Sequence, residues 1–280
     1  MFASIDLARR IESAEARLTE SLGEAVVSSG YATAFVERIG GGVVAFTGPS
    51  SPMNKMIGVG FEGVPDEDQL RRIEAQFRER ESPLQVEVST LADPAFVAHL
   101  TTHGYVLQNF ENVSGRSISE KDADAATPEE IAIGVGDTSD EEWLDAAITG
   151  FQHADDKGVQ ADAMPPREVF EESMRPFTAV KGFRRYAARV DGQLAAVASL
   201  RIDDRVAQLC GAATLPAFRR RGIQGALLRR RLADAFRAGC ELAVLTTQPG
   251  STSQANGHRQ GFALLYPRAI LVKPADDGAV

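Results

Sequence analysis

Residues 219–228, RRRGIQGALL, carry the residue types that hold an anion. A helix is expected over 222–238, with Ile223, Ala226, Leu227, Leu232 and Phe236 along one buried stripe. Pro216 ends the strand before it, because proline gives no ladder hydrogen bond. The helix start has no Ser, Thr, Asp or Asn to cap it. Three arginines stand where the helix macrodipole is already positive, each unfavourable by roughly 0.3–1 kcal/mol. Uncapped backbone N–H groups, the close approach allowed by Gly222 and Gly225, and the guanidinium charge together suit a diphosphate. The alternative is a solvated basic helix start that binds nothing.

The rest of the chain makes that cluster stand out. The formal charge is −9 over 280 residues, which argues against a nucleic-acid binder, whose phosphate contacts need a broad basic face. Arg219, Arg220, Arg221, Arg229, Arg230, Arg231 and Arg237 nevertheless crowd one short window. No run approaches the roughly 18 apolar residues of a membrane helix, so no membrane partner is expected. The N-terminus has charges every few residues and no apolar core of a secretion signal. Cys210 and Cys240 lack metal-ligand spacing and read as two buried thiols of a reduced compartment, which makes the cytoplasm the expected location.

The elements that must position the basic helix follow a grammar that occurs twice. In the first half, helices are expected over 4–29, 65–80 and 93–102, and extended chain over 31–38, 42–46, 56–61, 84–89 and 105–118. The polar run 119–129 has nothing to bury and reads as a linker. In the second half, strands are expected over 131–135, 183–190, 193–202, 206–214 and 242–247, then a final extended pair through Lys273. Helices are expected over 140–151, 166–177, 222–238 and 253–260. Asp191-Gly192 and Asp203-Asp204 serve as hairpin turns. An ungapped shift of 157 positions lays Val86 on Ala243, Val88 on Leu245, Thr90 on Thr247 and Gly104-Tyr105 on Gly261-Phe262, as tandem copies of one fold would.

The pattern Arg219-x-x-Gly222-x-Gln224-Gly225-Ala226, after a strand ending Ala-Thr-Leu-Pro, resembles the acetyl-CoA-binding motif of the GNAT superfamily of N-acetyltransferases, Gln/Arg-x-x-Gly-x-Gly/Ala. It departs at the last position, where Gln224 replaces a small residue. The element order over 131–273 resembles the same family, and the first half resembles its fold without the motif, with acidic Pro65-Asp66-Glu67-Asp68 in its place. The resemblance implies an α/β fold class of two tandem GNAT-like domains, each a mostly antiparallel mixed sheet flanked by helices. These would be a degenerate copy over 1–118 and an acyl-CoA-binding copy over 130–273, with a tail over 274–280.

It also implies an activity: transfer of an acetyl or other short acyl group from CoA to an amine, by direct attack on the thioester. Acetyl-CoA would be the donor substrate and an amine the acceptor, with no metal, in a monomer or homodimer. A non-catalytic acyl-CoA sensor is the competing reading, and an interaction protein with a vestigial second half is the third. By resemblance, the backbone of Ala212, Ala213 and Thr214 would pair with the pantetheine arm. The N–H groups of Arg220, Arg221, Gly222, Ile223, Gln224 and Gly225 would hold the pyrophosphate. The strands containing Thr214 and Leu242 would splay apart, with an amide N–H near Thr214 facing the thioester oxygen.

Many family members carry a tyrosine four residues before the Gly-Phe pair as proton donor, where this chain has Gly257. Tyr266 is the nearest substitute, or else a core aromatic. Ser253 and Asn256 would cap the short helix or touch the pantetheine arm. His258 reads as an exposed residue or a proton relay. His153, Asp155 and Asp156 have no second ligand set for a metal. The acidic loop 153–165, with Asp155, Asp156 and Asp162, suits a cationic amine, or is simply solvated.

Overall fold

The computed structural model describes residues 2–124, 126–153 and 165–275. The first half runs α1 (Ile5–Ser28), β1 (Phe35–Ile39), β2 (Gly42–Phe46), β3 (Lys55–Ile57), α2 (Glu67–Arg78), β4 (Leu84–Ser89), α3 (Pro94–Thr102) and β5 (Val106–Ser117). The second runs β6 (Ile131–Val135), α4 (Asp140–Gln152), α5 (Arg167–Met174), β7 (Phe183–Val190), β8 (Gln193–Asp203), β9 (Val206–Gln208), β10 (Ala213–Thr214), α6 (Ile223–Arg237), β11 (Leu242–Thr247), α7 (Thr252–Arg259) and β12 (Ala263–Lys273). A 3₁₀ turn, Glu120–Asp122, stands in the polar run between the halves.

The repeat is legible in the helix-to-strand joints. Gly104 and Gly261 both take left-handed φ, 86° and 82°. The next residue's N–H then bonds back to the helix, Tyr105 to the Leu100 carbonyl and Phe262 to the Gly257 carbonyl, each at 3.1 Å. Glycine is needed there because a Cβ disfavours that backbone region.

The chain divides into two compact units. The N-terminal unit comprises Phe2–Glu111, Glu168–Pro176 and the chain from Tyr266. Its sheet has the order β1-β2-β3-β4-β12, antiparallel except for β3 beside β4. Alternation along β2 sends Val44 and Phe46 into a core with Leu70, Ile73 and Phe77 of α2 and Phe96 and Leu100 of α3, while Val43 packs with Ala16 of α1. Ser4 caps α1, its hydroxyl accepting from the Leu7 N–H at 3.1 Å.

The C-terminal unit comprises Asn112–Arg167 and Phe177–Leu265. Its sheet runs β5-β11-β9-β8-β7-β6, with residues 112–117 of β5 antiparallel to β11, and β10 paired to β8 alone. Helix α6 buries Ile223, Ala226, Leu227 and Leu232 against Ala198, Leu200 and Ala243. Helix α4 lies close on β10, since a Cβ at Gly150 would come 2.5 Å from that of Ala213. Each unit's sheet thus takes a strand from the other half of the chain: β12 joins β4, and the end of β5 joins β11. The linker near 119–129 and the compact units are different divisions of the chain, one following the sequence repeat and the other the strand pairing.

Three local expectations are corrected. The expected strand 206–214 breaks into β9 and β10, where its register on β8 slips by one residue between Gln208, opposite Arg201, and Ala213, opposite Val197, around Gly211 at φ 55°. The final extended pair is one continuous strand, β12. The turn after β8 is Asp204-Arg205, whose φ values of 45° and 60° suit a two-residue hairpin loop, rather than Asp203-Asp204.

Candidate functional site

Helix α6 begins as an uncapped end. Its N-cap, Gly222, has φ 74° and gives no side-chain cap. Before it Arg219 is extended, with φ −64° and ψ 158°, and Arg220 is left-handed, with φ 63°, so the chain turns sharply into the helix start. Among the described residues the N–H groups from Arg220 to Gly225 meet no acceptor. Gly222 faces open space, with no atom within 4 Å of where its Cβ would be.

The arginines sort by task. Arg219 braces the approach, donating to the Thr214 carbonyl at 3.3 Å and to the Gly150 and His153 carbonyls at the end of α4. Arg229 reaches the Ala126 carbonyl, and Arg230 and Arg237 pair with Asp234. Arg220 and Arg221 stay exposed with no carboxylate partner among the described residues, Arg221 resting 6.0 Å from the Phe218 ring. Of these arginines, the two with no hydrogen-bond or ion-pair acceptor among the described residues are those beside the uncapped helix end.

Beside this end the sheet opens. β11 pairs in parallel with β9 only from Leu242 to Val244, and the Leu209 N–H bonds to the Val244 carbonyl at 2.9 Å. The chain then leaves through residues 210–212 to β10, which pairs Ala213 with Val197 and Thr214 with Ala196 of β8. Leu245 to Thr247 keep β5 on one edge and, among the described residues, pair with no strand on the other. The Leu215 N–H bonds to the Ala195 carbonyl on the β8 side, so strand alternation turns the Thr214 N–H away from β8, toward the gap. At the end of β11 the Thr247 hydroxyl and the Gln248 carboxamide oxygen are buried without a hydrogen-bond partner. Buried polar atoms are nearly always bonded to protein, water or a ligand, so both are available to a further partner.

Comparison with known proteins fits this geometry. Residues 152–262 match the family model of the acetyltransferase (GNAT) family. They form a GNAT domain. The fold is similar to a GCN5-related N-acetyltransferase from Kribbella flavida, with TM-score 0.63, 19% identity, and 94% of this chain and 96% of that one covered. A tandem GNAT protein from the clavulanic acid biosynthesis pathway aligns at TM-score 0.59 and 15% identity, covering 89% and 85% of the two chains. A GCN5-related N-acetyltransferase from Sphaerobacter thermophilus gives TM-score 0.55 and 15% identity over 75% and 68%. At such identities the likeness is one of fold, here the tandem GNAT architecture. No curated protein matches the chain in sequence.

In the GNAT domain, Ala212, Ala213, Thr214 and the 220–225 loop stand on the same strand–turn–helix segment. Ser251, and not Ser253 or Asn256, caps α7, accepting from the Gln254 N–H at 3.2 Å. Ser253 is exposed, and the Asn256 side chain accepts from Arg259. At Gly257 a Cβ would lie 3.0 Å from a Leu245 methyl carbon, a tight contact for any side chain there.

Tyr266 does not replace the family's tyrosine. The side chain is 2% exposed in the N-terminal unit, where its hydroxyl donates to Glu12 Oε1 at 2.8 Å. Burial and the Glu12 charge raise its pKa, so it is a core aromatic committed to a buried carboxylate. His153 and His258 are exposed, and no metal-binding group of His, Cys, Asp or Glu occurs among the described residues. Cys240 is buried and Cys210 half-buried. Asp155, Asp156 and Asp162 lie outside the described residues.

Sequence reasoning missed Arg231, which it grouped with the surface arginines. The side chain is 1% exposed. Its position four and eight residues after Leu227 and Ile223, on the buried stripe, was the available signal.

Proposed function

We propose that the C-terminal GNAT domain is an N-acyltransferase, moving an acetyl or short acyl group from CoA to an amine by direct attack on the thioester. The observation that carries this reading is the strand gap between β10 and β11, opening beside an uncapped, arginine-flanked helix start. The diphosphate of CoA binds the N–H groups of Arg220, Arg221, Gly222, Ile223, Gln224 and Gly225 and the charges of Arg220 and Arg221. The pantetheine arm enters the gap as an added strand along Ala212, Ala213 and Thr214. The Thr247 hydroxyl and Gln248 carboxamide supply hydrogen bonds to it. Thr214 N–H then faces the thioester oxygen and stabilises the charge that develops there when the amine attacks. The amine, largely protonated at neutral pH, gives up its proton to a base or a water chain before attack. An amine acceptor, acetyl-CoA as donor and a cytoplasmic setting complete the reading. No helix among the described residues is long and apolar enough to cross a membrane.

A second reading, an acyl-CoA sensor without turnover, is favoured by one observation: Gly257 leaves the leaving thiolate without the family's tyrosine. Incubating the protein with acetyl-CoA and a panel of amines, and following free thiol, separates the two. Thiol release with at least one amine class is expected. Binding without release supports the sensor, and no binding overturns both.

A further inference from the structure

The break between β9 and β10 is held from below by a buried cation. Arg231 Nη1 donates to the Ser199 carbonyl at 2.9 Å and to the Cys210 carbonyl at 3.4 Å, and its Nε to the Leu227 carbonyl of its own helix at 3.2 Å. Among the described residues it has no carboxylate partner. Burial lowers its pKa only to about 10, so the guanidinium stays charged at neutral pH. A buried charge compensated by carbonyl dipoles alone is costly to desolvate, so it is weak evidence of a stabilising role. Stability therefore does not explain it.

The Cys210 carbonyl does. It also accepts from the Ser199 N–H at 3.0 Å and from the Ser199 hydroxyl at 2.8 Å, so three donors converge on one oxygen. This carbonyl stands where the chain leaves β9, next to Gly211 at φ 55° and two residues before β10. The Ser199 N–H bond continues the register that pairs Gln208 with Arg201, whereas Ala213 opposite Val197 is one residue out of it, so this carbonyl is the last in-register point on β8 before the slip that carries the chain to β10.

We propose that Arg231, with Ser199, is a positioning residue: by clamping the Cys210 carbonyl it keeps β10 parted from β11 and its free amide turned into the gap. This rests on the acyl-CoA reading above. The clamp acts on the part of the ligand that lies between the strands and not on the diphosphate.

Calorimetry of the full chain with two probes, ADP and acetyl-CoA, tests it. Wild type is expected to bind both. Arg231→Met is expected to hold ADP within twofold of wild type, to bind acetyl-CoA at least tenfold more weakly, and to melt no lower. Arg231→Lys, which keeps the charge but not the two-carbonyl fork, should fall between. If the Met variant does not fold, Ser199→Ala carries the test, with acetyl-CoA weakened at least threefold and ADP unchanged. Equal acetyl-CoA affinity in the variants, or parallel loss of ADP and acetyl-CoA, overturns the clamp while leaving the acyl-CoA reading standing. Failure of wild type to bind either probe overturns that reading, and the clamp with it.

Discussion

Gly225→Glu should make the protein more stable and weaken its binding of CoA. Gly225 is the third residue of α6 with φ outside the left-handed region, and its Cβ would lie 3.4 Å from Arg229 Nη1 and 3.8 Å from Gln260 Nε2. Those are ordinary contacts with two hydrogen-bond donors. Replacing glycine inside a helix gains roughly 0.5 kcal/mol. A carboxylate in the first turn gains about 0.3–1 kcal/mol more from the macrodipole. The expected stabilisation is about 1 kcal/mol, or about 2 °C in melting temperature for a chain of this size. With a diphosphate bound, the same carboxylate faces about two negative charges at roughly 5–6 Å. Between water and a surface dielectric, after screening, that repulsion is on the order of 1–1.5 kcal/mol, close to tenfold in Kd, before any steric loss. Differential scanning calorimetry and titration with CoA read the two effects separately. A higher melting temperature with unchanged CoA affinity would refute a diphosphate at this helix end, and a lower melting temperature would refute the room argument.

Tyr266→Phe should cost about 1–2 kcal/mol in urea unfolding, since it strips a buried hydrogen bond from Glu12, and leave acetyl-CoA affinity and thiol release unchanged. A fall in release without a fall in stability would restore the tyrosine as a proton donor. A fragment ending at residue 118 lacks β12, and with it the Arg268 guanidinium that bonds Glu12 Oε1 at 2.8 Å, so no cooperative transition is expected by circular dichroism. A cooperatively melting fragment contradicts the exchanged-strand account. Glu111→Gln tests pH dependence: burial, then the Glu87 charge, raises the Glu111 pKa from 4.5 to about 7. The folded state therefore holds this proton more tightly, and the stability it contributes is present below about pH 4.5 and lost as pH rises through 7. The variant should gain on wild type between pH 5 and pH 8 in urea titrations, and an equal difference at both pH values removes Glu111 as the source.

What the sequence made legible is local, and what it hid is long-range. The α6 start was readable because a missing cap and an arginine run are adjacent in sequence, and α6 itself because Ile223, Leu227 and Leu232 keep helical spacing. The strand break was hidden because VAQLCGAAT reads as one mostly apolar run, and the register slip appears only in its pairing with β8. Tyr266 misled for the same reason. It follows the Gly-Phe pair by four residues, yet its partner Glu12 is 254 positions away, brought near by a strand that completes the other half's sheet. Gly257 was seen as a missing tyrosine, but only the structure shows that a Cβ there would lie 3.0 Å from a Leu245 methyl carbon.

The two repeats have diverged at the same two features, and the differences agree. In the first, Asp66 caps α2 by accepting from the Gln69 N–H at 2.9 Å, and Glu67 and Asp68 follow, so the helix start is both satisfied and negative. Its strand gap is closed: the Asp93 N–H bonds to the Gly60 carbonyl at 2.7 Å, and the Cβ of Ala92 and a ring carbon of Phe96 reach within 3.0 Å of where a Gly60 Cβ would be. In the second, the helix start is uncapped and flanked by cations, and beyond Val244 the β11 edge is open. A bare strand edge presents a row of unpaired N–H and C=O groups. Here Leu245, Thr246 and Thr247 are held by Ser114, Val113 and Asn112 of β5, the last strand of the first repeat. The first repeat, whose own helix start is capped and acidic, thus supplies the strand that backs the open edge of the second.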